Sequence, residues 1–105
     1  MAQLSPSASP GRTRVALLFG GRSSEHTISC ATAGSVLEHI DRERFEVVPI
    51  GITRDGRFVL QADDPAPLAL ERVPEVVEGD AVQLPGSIAS RALSVTDASG
   101  AVRQL

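Results

Sequence analysis

The chain has 105 residues, a mass of 11.0 kDa, a net charge of −3 and a pI near 5.3. All ten of its basic side chains are arginine, and it contains no Lys, Asn, Trp or Tyr. This length holds one domain, and 42% apolar with 22% charged residues is the balance of a globular chain rather than a fibrous or disordered one. The arginines are spread along the sequence, which argues against a basic footprint for nucleic acid or anionic lipid. Enzymes that activate a substrate with ATP generally close a cleft between two or more domains, so a chain this short would be one part of such an enzyme. A single cysteine, Cys30, has no internal disulfide partner, which fits a reducing, cytoplasmic setting.

Residues 1–12 are rich in Ser, Pro, Ala and Gly and lack periodicity, so a disordered leader is expected there, followed by one domain over 13–105. The leader has neither a basic start nor an apolar stretch and is not a secretory signal. Arg14–Phe19 is a continuous apolar run closed by Gly20-Gly21, the pattern of a strand covered on both faces. At five residues, Val15–Phe19 is too short to span a bilayer. After Ser23 and Ser24 the spacing becomes helical, with Ile28, Ala31, Ser35 and His39 at i, i+3, i+7 and i+11 and Val36, Leu37 and Ile40 widening the stripe. Either serine is a candidate N-cap, and Glu25 is expected in the first turn, where the dipole favours a carboxylate.

Asp41-Arg42-Glu43-Arg44 ends the helix, and Phe45–Ile52 forms the next strand, with Pro49 arguing for an edge or a bulge because it donates no ladder bond. Strand, helix and strand make a βαβ unit with a right-handed crossover. Thr53–Leu60 reads as a hairpin whose Asp55-Gly56 pair supplies positive φ angles. Beyond residue 61 prolines interrupt the pattern. Short strands are expected at Ala81–Leu84 and Ala92–Thr96, the latter paired with Gly100–Leu105 across Asp97-Ala-Ser-Gly.

The segment that carries chemistry is Phe19–Ser29. A strand, a glycine pair and a helix N-terminus present backbone N–H groups and a positive dipole end to an anion, and glycine lets a ligand approach without meeting a Cβ. A carboxylate at Glu25 would stand beside that anion site and hold a cation, which together suit the two charges of an amino acid. Spacing alone leaves a second reading open, in which the glycines make a tight turn and Glu25 satisfies the dipole. A dinucleotide fingerprint fits badly, because Arg22 and Glu25 occupy positions that need glycine and Thr53 stands where a ribose-binding acid belongs. A P-loop is excluded by the absence of lysine.

Val15-Ala-Leu-Leu-Phe-Gly-Gly-Arg-Ser-Ser-Glu-His-Thr-Ile-Ser29, followed by Ala33-Gly-Ser-Val-Leu37 and Val47-Val-Pro-Ile-Gly-Ile-Thr53, resembles the N-terminal domain of D-alanine–D-alanine ligases. The resemblance is clear over residues 13–60 and looser beyond. One departure is Thr32-Ala33, where many members carry Ser-Ala; it is mild. The resemblance implies a Rossmann-like, three-layer α/β domain with a partly parallel sheet that precedes an ATP-grasp domain. It implies an ATP- and Mg²⁺-dependent ligase that makes D-Ala-D-Ala for peptidoglycan through an acyl phosphate. It also implies a cytoplasmic, homodimeric enzyme with D-alanine as substrate and the remaining ligase domains as partners of this one. Glu25, with Ser23, Ser24, Gly21 and His26, would then line the subsite of the first D-alanine. No catalytic, ATP-binding or metal-binding residue carries over. The family's His-Gly-x-x-Gly-Glu-Asp-Gly segment is expected shortly after residue 105, and this piece alone is expected to be inactive. The alternative is a free-standing Rossmann-like binding module without catalysis.

Other residues carry weaker signals. His26 neighbours Glu25, but adjacent helical residues point about 100° apart, so orienting the turn competes with touching substrate. His39 suits a helix C-terminus, and Cys30 suits a small core position. Asp63-Asp64 suits a solvated turn better than a metal pair, and Arg22 suits a phosphate or an interface equally well.

Overall fold

A computed structural model describes residues 2–3, 11–86 and 92–105. Strand β2 (Thr13–Gly20) leads into helix α1 (His26–His39) and then strand β3 (Phe45–Ile52), and β2 and β3 pair in parallel from Thr13↔Phe45 to Gly20↔Ile52. Antiparallel neighbours complete a mixed sheet in sequence order. They are β1 (Ala2–Gln3) on the outer side of β2, then β4 (Phe58–Leu60), β5 (Ala81–Gln83), β6 (Ser94–Thr96) and β7 (Val102–Gln104) beyond β3. The α/β class and the βαβ unit are therefore as expected. Ala2–Gln3 pairs with Val15–Ala16 where an unordered leader is expected. Met1 and residues 4–10 of that leader lie outside the described residues.

The apolar run of β2 is buried on both faces, and strand alternation divides it between two clusters. Val15, Leu17 and Phe19 face α1 and pack with Cys30, Ala33, Leu37, Val47, Val59, Leu68 and Val76. Ala16 points the other way and joins Val48, Ile50, Val82, Leu93 and Val95. Val82 of β5, Val95 of β6 and Leu93 just before it close this second cluster. Pro49 is not at an edge: β3 is flanked by β2 along its length, and by β4 over Ile50–Ile52. The proline is tolerated because β4 pairing stops one residue short of it, and its carbonyl accepts from Gln61 N–H at 3.0 Å.

The helix buries only part of the stripe its apolar spacing indicates: Leu37 joins the core and Val36 and Ile40 pack against it, but the line through Ile28, Ser35 and His39 does not. His26, Cys30, Ala33, Gly34 and Leu37 face the protein, whereas Ser35 and His39 are exposed and Ile28 is half-exposed. Ile28 lies two residues from both His26 and Cys30, about 200° round the axis. Small side chains face inward because the approach is close: a Cβ on Gly34 would stand 2.9 Å from Leu68 Cβ, in the first of two 3₁₀ turns at Ala66–Leu68 and Leu70–Arg72. The hairpin also differs in detail. Only Gly56 of the 53–57 loop has a positive φ, at 90°, and Gly56 N–H donates to Thr53 O at 2.9 Å. Thus Asp55 needs no left-handed conformation. The late strands pair as expected, with Ser94↔Gln104 to Thr96↔Val102 in register and Asp97 accepting from Ser99 and Ala101 N–H in the turn between them.

Candidate functional site

Parallel pairing brings the carboxyl ends of β2 and β3 side by side, the location where open α/β sheets receive ligands. Gly20 and Gly21 turn the chain there with φ of 94° and 101°. Gly21 N–H donates to Ile52 O at 2.8 Å, which continues the parallel ladder through the turn. A Cβ on Gly20 would lie 2.5 Å from Ile52 O, so that position excludes any side chain, while Gly21 has open space around it. Gly20 N–H donates to Ser29 Oγ at 2.9 Å, so the last residue of the signature ties the first helical turn back to the glycine pair.

The helix begins at His26, one or two residues later than a cap at Ser24 or Ser23 would place it. Glu25 is the N-cap residue, and its carbonyl accepts the first helical bond from Ser29 N–H at 2.8 Å. Its carboxylate makes no capping bond and is exposed, as are Ser23 and Ser24. Neither serine caps the helix: Ser23 Oγ accepts from Glu25 N–H at 3.1 Å, and Ser23 O accepts from His26 N–H at 3.2 Å. The N–H groups of Thr27 and Ile28, in the first turn, have no intrahelical acceptor. An exposed carboxylate therefore stands beside the positive dipole end of a helix N-terminus.

Inside this turn, His26 is sealed from solvent at 0% exposure. Its Nδ1 lies 2.6 Å from Gly21 O, and its Nε2 lies 2.9 Å from Val76 N. Both ring nitrogens are thus committed to backbone groups, which leaves neither facing the exposed side of the turn where Glu25 stands. The remaining candidates, Gly21, Ser23, Ser24 and Glu25, stay together on the exposed side of the same turn.

Spacing does not single out four further residues that lie together at this end of the sheet. Thr53 is buried at the end of β3; its hydroxyl bonds Asp55 and accepts from Arg57 N–H at 2.9 Å. Arg54 pairs with Glu75 at 2.8 Å, and Val76 covers Gly20 and Gly51. Together with Asp55, Arg57 and Val77 these residues line a cleft of about 240 Å³. Glycine at position 51 is the one local trace of this arrangement, because a Cβ there would meet Val76 Cγ1 at 2.6 Å.

Away from the turn, His39 bonds Ser35 O at 2.8 Å in the last helical turn. Cys30 is buried, and burial pushes its thiol above the ordinary range despite the opposing charge of Arg54. Asp63 receives a two-pronged contact from Arg42, at 2.5 and 2.9 Å, and Asp64 accepts from Ala66 N–H at 3.0 Å, so each serves a local structural bond. Arg22 is exposed, with its stem near Gly56. Among the described residues no three His, Cys, Asp or Glu side chains gather as metal ligands, and no helix is long and apolar enough to cross a membrane.

Known proteins bear on this geometry directly. Residues 14–102 match the family described as D-ala D-ala ligase N-terminus. The chain is 54% identical over 81 residues to a D-alanine–D-alanine ligase of Mycolicibacterium smegmatis, covering 75% of this chain and 22% of the relative. It is 61% identical over 59 residues to the ligase of Rhodococcus erythropolis, covering 56% and 16%. It thus spans about a fifth of the length of these relatives. In structure it is similar to the VanG D-Ala:D-Ser ligase of Enterococcus faecalis, with TM-score 0.67, 25% identity and coverage of 80% and 25%. The fold is also that of the D-alanine–D-alanine ligase of Coxiella burnetii, with TM-score 0.57, 21% identity and coverage of 75% and 23%. With its signature turn at the carboxyl ends of a parallel strand pair, the chain belongs to the family of D-alanine–D-alanine ligase N-terminal domains.

Proposed function

We propose that this domain forms one wall of the first D-alanine subsite in an ATP-dependent D-alanine–D-alanine ligase that supplies the D-Ala-D-Ala dipeptide for peptidoglycan in the cytoplasm. The carrying observation is the exposed Glu25 carboxylate at the N-cap of α1, beside unpaired first-turn N–H groups. In this reading Glu25 holds the ammonium group of D-alanine. The helix N-terminus favours negative charge on its carboxyl group, as a preorganised dipole that needs no reorganisation. Ser23 shapes the turn by accepting the Glu25 N–H, and Gly21 leaves the approach free of a Cβ.

In this reading ATP and Mg²⁺ are held by the remaining ligase domains; this one has no lysine, and its described residues gather no metal-ligand cluster. In the full-length ligase, Glu25→Gln is expected to raise the KM for the first D-alanine about tenfold or more and leave the KM for ATP unchanged. Unaltered D-alanine kinetics in that variant would overturn the assignment.

A further inference from the structure

We infer that His26 is a positioning residue for this subsite, a neutral imidazole that locks the Glu25 turn to the strap formed by residues 73–77. This deepens the function proposed above and rests on it. A carbonyl oxygen only accepts and a backbone amide only donates. Gly21 O at 2.6 Å therefore requires a proton on Nδ1, and Val76 N–H at 2.9 Å requires a bare Nε2. One tautomer satisfies both partners. The imidazolium fails, because a second ring N–H would face the Val76 N–H.

The two partners are 50 residues apart in the chain and belong to different parts of the wall. Gly21 lies in the turn that carries Glu25, and Val76 lies in the strap across the carboxyl ends of β2 and β3. Val76 is 2% exposed and fills the space left by the absent Cβ atoms of Gly20 and Gly51. The strap opens with Val73 at φ 49°, ψ 62°, a left-handed conformation unfavourable for a β-branched residue. Surrounding contacts must hold such a residue in place, and the Arg54–Glu75 pair and the His26 bond anchor the chain just after it. Fixing the strap fixes His26, and fixing His26 fixes the Gly21–Arg22 peptide at the start of the turn that carries Glu25.

The test uses nitrogen-15 spectroscopy on the protein and kinetics on the full-length ligase. Wild type is expected to show His26 as the Nδ1–H tautomer at neutral pH, with a slowly exchanging Val76 amide. His26→Leu removes both bonds. His26→Asn retains a donor near the Nδ1 position, and His26→Gln retains an acceptor near the Nε2 position. The Leu variant is expected to lose Val76 protection while β2 and β3 amides keep theirs, and to raise the D-alanine KM about tenfold with the ATP KM unchanged. Asn and Gln should fall between Leu and wild type. If the Leu variant does not fold, the wild-type tautomer and the two amide variants carry the test. An Nε2–H tautomer or imidazolium in wild type, or D-alanine KM values equal to wild type in all the folded variants, would overturn the inference. A wild-type ligase that makes no D-Ala-D-Ala would remove the proposed function instead, leaving the tautomer and Val76 exchange to decide whether turn and strap are locked.

Discussion

Gly51→Ala should change sign with the residue at position 76. Gly51 lies in β3 at an ordinary strand conformation, so alanine there loses less conformational entropy on folding, a gain of about 0.5–1 kcal/mol. Against this, the new Cβ would stand 2.6 and 2.8 Å from the two Val76 methyls and 2.9 Å from Gln61 Cγ, where carbon contacts normally settle at about 3.5–4.0 Å. Overpacking of this kind costs about 1–3 kcal/mol, so the single variant should lose about 1–2 kcal/mol. Val76→Ala alone gives up two buried methyl groups, about 1.6 kcal/mol at ~0.8 each, and leaves a cavity that brings the loss to about 2–3 kcal/mol. With both substitutions the two Val76 methyls are gone, and the nearest atom left to oppose the new methyl belongs to the flexible Gln61 stem. Gly51→Ala then becomes neutral or stabilising, and the coupling is about 2 kcal/mol. With neither Trp nor Tyr in the chain, urea unfolding is best followed by far-UV circular dichroism. An equal cost for Gly51→Ala in both backgrounds would refute the placement of Val76 over β3.

Gly20→Ala should cost about 3–4 kcal/mol, combining left-handed strain of about 1–2 kcal/mol with overlap on the Ile52 carbonyl. Gly21→Ala, with open space around it, should cost the strain alone, and equal urea midpoints for the two would contradict this. The raised pKa of the Cys30 thiol makes its contribution to stability full below the ordinary value of 9.0 and lost as pH climbs through the folded value, because only the unfolded thiol ionises in that window. Melting temperatures taken from about pH 7 to about pH 10 should fall less steeply for Cys30→Ala than for wild type. Arg42 donates to Leu37 O at 2.6 Å as well as to Asp63, so Arg42→Ala should cost about 1–2 kcal/mol. Arg42→Lys should recover less than half of that in thermal unfolding, because an ammonium group lacks the planar fork.

Much of the site was legible locally. A doubly covered strand, a glycine pair and a helix start are each written within a few consecutive residues, because strand burial and turn conformation depend on near neighbours. The Phe19–Ser29 signature therefore located the glycine turn and the start of α1 closely, and Glu25 emerges on the exposed side of that turn. The Asp97–Gly100 hairpin was legible for the same reason, since its bonds close over a few residues.

Sequence by itself determined the α/β class, the order of the main strands and helix, and the family through the Val15–Ser29 signature and two short stretches after it. Tertiary structure alone decided which side of α1 is buried, because that depends on how closely Leu68 approaches Gly34. It also decided the fate of His26, whose Nε2 partner lies 50 residues away with no motif of its own. Hydropathy assigns Ile28 to the core, yet contact distance gives that place to Cys30, Ala33 and Gly34, which are small enough to let helix and sheet meet. Periodicity records how apolar a residue is; only the folded chain sets how much room it has.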